Sequence, residues 1–320
     1  MSGASLQLSS VLLALAVSVA AGFGLRGVSP GVALFAALGA LFLLLVPYFF
    51  FGLSGLSAPA RAAGPRSLVW APALLVPYGI YGAGTGAFDP VELSRLVFYV
   101  GLPALLVYLG RDRKGPGIFD LLAVLVIWLP FDLRLLENIW VWPQGQGAYG
   151  LQTVLAVDLV LLLFVLVRGI EGIGYRFRLS RDGARAVLVN FLLFSALAIP
   201  IGLGIRFIRY DPDPFDAVSL IGSFLAIFLF IGIPEELLFR GLIQNFLDQW
   251  LGRGWSSLLL ASLVFGAAHL DNDQPPNFAY AFMAAIAGVF YGRAFRATGG
   301  LMAPALVHAL VDTVWRAVFR

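Results

Sequence analysis

The chain of 320 residues is 60% hydrophobic and only 12% charged, and its formal net charge is +3. A soluble globular protein is usually nearer a quarter charged, so this composition excludes a soluble domain and predicts a membrane protein. So small a positive charge does not indicate nucleic-acid binding. Because the sequence contains no cysteine, disulfides, thiolate metal sites and a cysteine nucleophile are excluded.

Long continuous apolar runs predict an all-α, polytopic transmembrane bundle of about ten to eleven spans, by the rule of roughly 20 residues per crossing. Helices are expected because the backbone must satisfy its own hydrogen bonds in lipid. The segment 216–247 is too long for a single crossing and contains Pro234, which predicts a kink or break. In chain order, the predicted spans are 7–25, 31–52, 68–84, 94–110, 118–136, 151–168, 186–205, 216–247, 255–270, 278–297 and 301–319.

The longest polar connection, at 168–186, is rich in arginine. We take it as the boundary between N-terminal accessory helices, residues 1–180, and a C-terminal core, residues 186–320. Even-numbered loops carry nearly twice as many Lys and Arg residues as the odd-numbered loops and the C-terminal end. This bias predicts a cytoplasmic N-terminus. The preference for arginine over lysine, with abundant Ala, Gly and Leu, favours a bacterial plasma membrane.

The first polar motif lies within the long apolar segment and consists of Glu235, Glu236 and Arg240. Glu236 and Arg240 are four residues apart, so they can pair on one helical face. Glu235 is rotated away and lacks a local partner, and a desolvated, unpaired carboxylate is a plausible general base. Acidic residues after a proline also mark an ordinary helix start. Ionisable groups at membrane depth nevertheless favour a functional site.

The second motif is Phe265-Gly-Ala-Ala-His269, in which the two ring residues share a helical face. The small residues between them predict close helix packing. A single histidine on an apolar face is more often a core or interfacial residue than a catalytic one. This motif therefore indicates a functional site only together with the other two.

The third motif is His308-Ala-Leu-Val-Asp312, near the C-terminal end of the chain. The spacing of four residues places the carboxylate where it can orient the imidazole. Counted at about 1.5 Å per residue, Glu235, His269 and His308 all lie roughly 10 to 20 Å from the cytoplasmic side, so they could meet in one layer.

One glutamate and two histidines are also a familiar set of zinc ligands. Because Glu235, His269 and His308 come from separate helices and no HExxH sequence is present, the spacing permits zinc without arguing for it, and no metal ligand is assigned. No Ser or Cys lies beside either histidine, which argues against a nucleophilic triad. Asp120, Asp132 and Asp158 are scattered singly in apolar segments and are interpreted as helix-packing or cavity groups without matching partners.

The three motifs in this order resemble the CPBP family, the CAAX protease and bacteriocin-processing family, also called ABI or type II CAAX prenyl endopeptidase-like. The family patterns EExxxR, FxxxH and HxxxN or a close variant match residues 235–240, 265–269 and 308–312. The resemblance covers roughly residues 186–320, and it implies an intramembrane endopeptidase.

The resemblance also implies a role for each motif residue. Glu235 and His269 would activate a water molecule, and His308 with Asp312 would stabilise the oxyanion. Glu236 and Arg240 would be structural, and Phe265 supporting. The aspartate at 312 departs from the family's asparagine, and an ionised aspartate would repel an oxyanion, so Asp312 must be protonated or must act by orienting His308.

Two alternatives stay open beside this hydrolase. One is a zinc-dependent version of the same protease, and the other is a non-catalytic membrane binding or immunity protein on the same fold. A transporter is disfavoured because it would predict paired broken helices, and only one broken span is predicted. The expected partners are the lipid bilayer and a membrane-embedded or lipid-anchored peptide or protein substrate.

Overall fold

The structure is a computed structural model that describes residues 3–24, 31–55, 63–141, 147–214, 216–273 and 275–320. Every named element within these ranges is helical, as the composition predicted. The chain divides into two compact units, Met1–Glu171 and Gly172–Arg320. The division falls within the polar connection 168–186. The accessory and catalytic assignments of the two parts stay predictions.

In the described part of the first unit there are six α-helices and two helical segments of other types. The 3-10 segment Gly64–Leu75 precedes α3, and the π-helical segment Leu161–Val167 continues α6. The α-helices are α1, Gly3–Gly24; α2, Val32–Ser54; α3, Val76–Thr85; α4, Pro90–Leu109; α5, Ile118–Asp132; and α6, Gly147–Val160.

The described residues of the second unit form five helices, and these position all three motifs. They are α7, Arg181–Gly204; α8, Ala217–Leu251; α9, Trp255–Ala267; α10, Phe278–Thr298; and α11, Met302–Val318. The first motif lies on α8, the second extends from the end of α9, and the third lies on α11.

Among the described residues, seven helices are long and apolar enough to cross a membrane, so the protein is an integral membrane protein. They coincide with seven of the eleven predicted spans. The other four predicted spans correspond to shorter helices: α5, α9, α11, and the region shared by the 3-10 segment Gly64–Leu75 with α3.

Of the predicted kink or break at Pro234, the break does not occur, because α8 continues over 35 residues; the kink stays a prediction. Two π-helical segments, Phe228–Gly232 and Leu237–Gln244, flank the short α-helical turn Ile233–Glu236. Such local widening lets a helix accommodate backbone groups that a proline leaves unpaired, and π-helical turns often lie at functional sites. The first motif thus begins in an irregular part of the longest helix.

The expectation that Asp120 lacks a partner is wrong. Arg168 donates to it from Nε over 2.7 Å, and both side chains are almost completely buried. Arg168 also donates to backbone carbonyl groups of the preceding loop, at residues 111, 113 and 115. The pair therefore fixes the connection between α4 and α5. Asp158, by contrast, is buried and has no hydrogen-bond partner among the described residues.

Glycines let α9 and α10 approach closely, as the small residues of the second motif predicted. A Cβ added at Gly266 would lie 2.5 Å from the carbonyl oxygen of Ala281, and one at Gly288 would lie 3.0 Å from Cα of Ser262. Neither position has room for a side chain without movement of backbone. This close contact holds the second motif against α10.

Candidate functional site

Glu236 and Arg240 form the ion pair that their spacing predicted. Arg240 Nε lies 3.1 Å from Glu236 Oε2, and the two side chains are 1% and 0% exposed. Arg240 Nη2 also donates to the carbonyl oxygen of Gly288 on α10, over 3.4 Å. Its guanidinium carbon lies 4.4 Å from the centroid of the Phe265 ring on α9. Arg240 therefore connects α8 to both neighbouring helices.

His308 lies among three carboxylates. Its Nδ1 is 3.0 Å from Glu236 Oε1, which accepts the hydrogen bond if the ring carries its proton there. Its Nε2 is 3.5 Å from Asp312 Oδ2 and 3.9 Å from Glu235 Oε2. The contact with Asp312 agrees with the predicted spacing. The hydrogen bond to Glu236 was not predicted, because the two residues are 72 positions apart.

Glu235 has a buried acceptor atom without a hydrogen bond. Its side chain is 25% exposed, yet Oε2 is buried and has no hydrogen-bond partner among the described residues. A buried carboxylate oxygen without a donor is costly, so this atom is well suited to accept a hydrogen bond from water or substrate. Glu236 Oε2 also lacks a hydrogen bond, but it lies 3.1 Å from Arg240 Nε and its side chain is fully buried, so the adjacent glutamates differ in environment.

His269 has a defined tautomer. Its Nδ1 lies 2.8 Å from the carbonyl oxygen of Phe265, and because a carbonyl only accepts, Nδ1 must carry the hydrogen. The neutral ring then presents a lone pair at Nε2. Tyr280 stacks on the imidazole with ring centroids 5.3 Å apart and planes at 26°. The backbone bond and the stacked ring together fix the direction in which Nε2 can act.

The two histidines differ in their relation to Glu235. Among the described residues, His308 makes ion-pair contacts with carboxylates, whereas His269 makes none. The predicted partnership of Glu235 with His269 would therefore act through a molecule placed between them. Phe265 lies beside both histidines, with ring centroids 4.6 Å from His269 and 6.1 Å from His308.

The predicted alternative zinc ligands do not converge in this arrangement. The described residues include no group of three His, Asp or Glu side chains placed to hold a metal ion. Nδ1 of His269 is bonded to backbone and Nδ1 of His308 faces Glu236, so Nε2 is the ring nitrogen that each histidine could offer to a metal. Glu235, His269 and His308 do not form a metal-holding group as they stand, and no catalytic step is derived through a metal.

Tyr291 is a part of the site that the sequence did not indicate. It lies on α10, outside all three motifs, is buried, and stacks on the His308 ring. Only the helix packing reveals it, since neither its spacing nor its residue type distinguishes it from the other aromatic residues of the chain.

Comparison with known proteins locates a family over this part of the chain. Residues 217–314 match the model described as type II CAAX prenyl endopeptidase Rce1-like. An uncharacterized 24.3 kDa protein of Escherichia coli is 32% identical over 135 residues, which are 41% of this chain. The chain spans 59% of the length of that relative. No solved structure matches the chain.

Proposed function

We propose that this membrane protein is an intramembrane endopeptidase that hydrolyses peptide bonds with an activated water, and the match of residues 217–314 to the Rce1-like family model supports this proposal. The unpartnered, buried Oε2 of Glu235 is the observation that carries the proposal. It supplies an acceptor for a proton 3.9 Å from His308 Nε2 of the third motif.

In the proposed reaction, Glu235 takes a proton from water as the oxygen attacks the carbonyl carbon of the scissile bond. The carbonyl π electrons move to oxygen and form the tetrahedral oxyanion. When the intermediate collapses, the carbon–nitrogen bond breaks and Glu235 returns the proton to the leaving amine. One carboxylate thus serves as base and then as acid, and the products are a carboxyl and an amino terminus.

The two histidines take separate roles in this proposal. His269 presents the Nε2 lone pair of its neutral ring and holds the water beside Glu235, since its Nδ1–H is committed to backbone. His308 stabilises the oxyanion as an imidazolium that donates from Nε2, because its Nδ1–H is given to Glu236 and both ring nitrogens must then carry hydrogen. A donor placed where negative charge develops lowers the barrier without reorganisation during the reaction.

Asp312 acts through His308 and not as a direct donor. Its Oδ2 lies 3.5 Å from His308 Nε2, and its side chain is 34% exposed. Asp312→Asn should keep kcat within about threefold of wild type, because an amide oxygen can still face the imidazole. Asp312→Leu, which cannot orient the ring, should be much slower. A folded but inactive Asn variant would assign the carboxylate a direct role.

Zinc dependence can be measured directly. We expect protein purified with chelator washing to contain zinc well below one equivalent by elemental analysis and to retain its cleavage rate. Added zinc should not raise that rate. Stoichiometric zinc whose removal abolishes cleavage, and whose return restores it, would replace the carboxylate mechanism with the metalloprotease alternative.

The proposed function is tested by incubating detergent-solubilised bacterial membranes with purified wild-type protein or with Glu235→Gln. Mass spectrometry of the peptides should detect new termini in membrane-embedded or lipid-anchored proteins with the wild type alone. Binding of membrane proteins without new termini would instead identify the non-catalytic binding protein. The substrate, the bacterial plasma membrane and the cytoplasmic N-terminus belong to the proposal.

A further inference from the structure

We propose that Tyr291 is a positioning residue that holds the imidazole of His308 in its working orientation; this rests on the proposed function. The two rings stack with centroids 5.0 Å apart and planes at 17°. Tyr291 is 2% exposed. The stack therefore covers one face of the imidazole and limits rotation of the ring about its χ2 bond.

Tyr291 contacts a residue from each of the three motifs, although α10 contributes none of them. The Arg240 guanidinium carbon lies 5.5 Å from the Tyr291 ring centroid. The Phe265 ring meets Tyr291 edge-on, at 5.9 Å and 69°. With the His308 stack, these contacts place Tyr291 at the junction of α8, α9 and α11. Through a ring in this position, a displacement of one motif can be transmitted to the other two.

The geometry of α10 explains why Tyr291 can reach this junction. Gly288 and Gly292 flank it, one helical turn apart. Gly288 accepts from Arg240, and Gly292 accepts from Gln244 of α8 over 3.3 Å. A Cβ at Gly292 would lie 2.5 Å from Gln244 Oε1 and 2.4 Å from Leu258 Cδ1. The glycines thus bring α10 close enough for Tyr291 to lie flat on His308.

The stack matters because the remaining contacts of His308 leave its tilt undefined. Nδ1 faces Glu236, and Nε2 faces both Asp312 and Glu235, which lie at different distances. Hydrogen bonds in the ring plane do not prevent the ring from rocking out of that plane. A flat aromatic neighbour does, and an aromatic face also attracts an imidazolium. Tyr291 should therefore affect kcat more than KM.

The test compares Tyr291→Phe, which keeps the ring, with Tyr291→Met and Tyr291→Leu, which remove it. Phe290→Leu is the matched control, because Phe290 is a buried aromatic on the same helix that packs on Phe194. On a peptide cleaved by the wild type, the ring-less variants should lose about tenfold or more in kcat with KM nearly unchanged, as misorientation predicts. Tyr291→Phe should restore most of kcat, and Phe290→Leu should resemble the wild type.

A second readout does not depend on protease activity. The chain has two histidines, so labelling of each by diethylpyrocarbonate can be followed separately by mass spectrometry. The ring-less variants should label His308 several times faster, while His269, stacked on Tyr280, serves as the internal reference. Unchanged His308 labelling, or ring-less variants that fail to fold while Phe290→Leu folds, would overturn the positioning role. If the wild type cleaves nothing, the labelling still decides the inference.

Discussion

Replacing Glu235 with glutamine should lower kcat for peptide cleavage by about a hundredfold or more, the usual contribution of a general base. Glutamine keeps the shape of the side chain but cannot take a proton from water. Folding should be little affected, since Glu235 Oε2 has no hydrogen-bond partner among the described residues. Cleavage rate and thermal unfolding in the same detergent check both expectations.

The neighbouring glutamate supplies a contrast for this experiment. Glu236 is fully buried and contacts Arg240 and His308. Glu236→Gln should therefore lower the unfolding temperature, whereas Glu235→Gln should not. A Glu235→Gln protein with wild-type kcat would exclude the proposed base, and a loss of activity that only follows unfolding would not support it.

Replacing Arg240 with methionine should cost about 3 to 5 kcal/mol of unfolding free energy, because removing one partner leaves a buried charge uncompensated. Glu236 would retain His308 as its remaining close partner, in a region where both side chains are almost completely buried. Denaturant or thermal unfolding in detergent measures the loss.

Two further variants separate charge from packing at this position. Arg293→Met alters an exposed arginine on α10 and should change stability little. The double variant Glu236→Gln with Arg240→Met should recover part of the loss, because it removes the stranded carboxylate as well. An Arg240→Met protein as stable as Arg293→Met would contradict a structural role for the buried pair.

Helical spacing predicted the contacts that lie within one turn. Glu236 with Arg240, and His308 with Asp312, are each four residues apart, and the structure shows both contacts. Such predictions succeed because an α-helix fixes which residues share a face, even before its neighbours are known. The composition likewise predicted the all-helical membrane fold, since lipid permits few alternatives.

Helical spacing could not predict the contacts between helices. The hydrogen bond from His308 to Glu236 and the Arg240 bond to Gly288 depend on how α8, α10 and α11 pack. Tyr291 lies outside every motif, so no local pattern distinguishes it. Asp120 and Arg168 are 48 positions apart, which explains why their pairing was not expected.

The length rule also could not predict where each span begins and ends. An apolar segment of about 20 residues can form one crossing or two shorter elements, as Gly64–Leu75 and α3 do. The π-helical segments beside Pro234 show that a proline need not end a helix whose backbone can widen locally. These features depend on local hydrogen bonding that hydropathy does not encode.

The proposal that Glu235 activates water is tested most directly by the origin of the oxygen in the new terminus. Purified protein in proteoliposomes would be given a substrate peptide from the membrane comparison, in water enriched in oxygen-18, under single-turnover conditions. The account predicts one oxygen-18 atom in the new C-terminal carboxylate with wild type and no product with Glu235→Gln. An unlabelled product, or labelled product formed equally fast by Glu235→Gln, would contradict it.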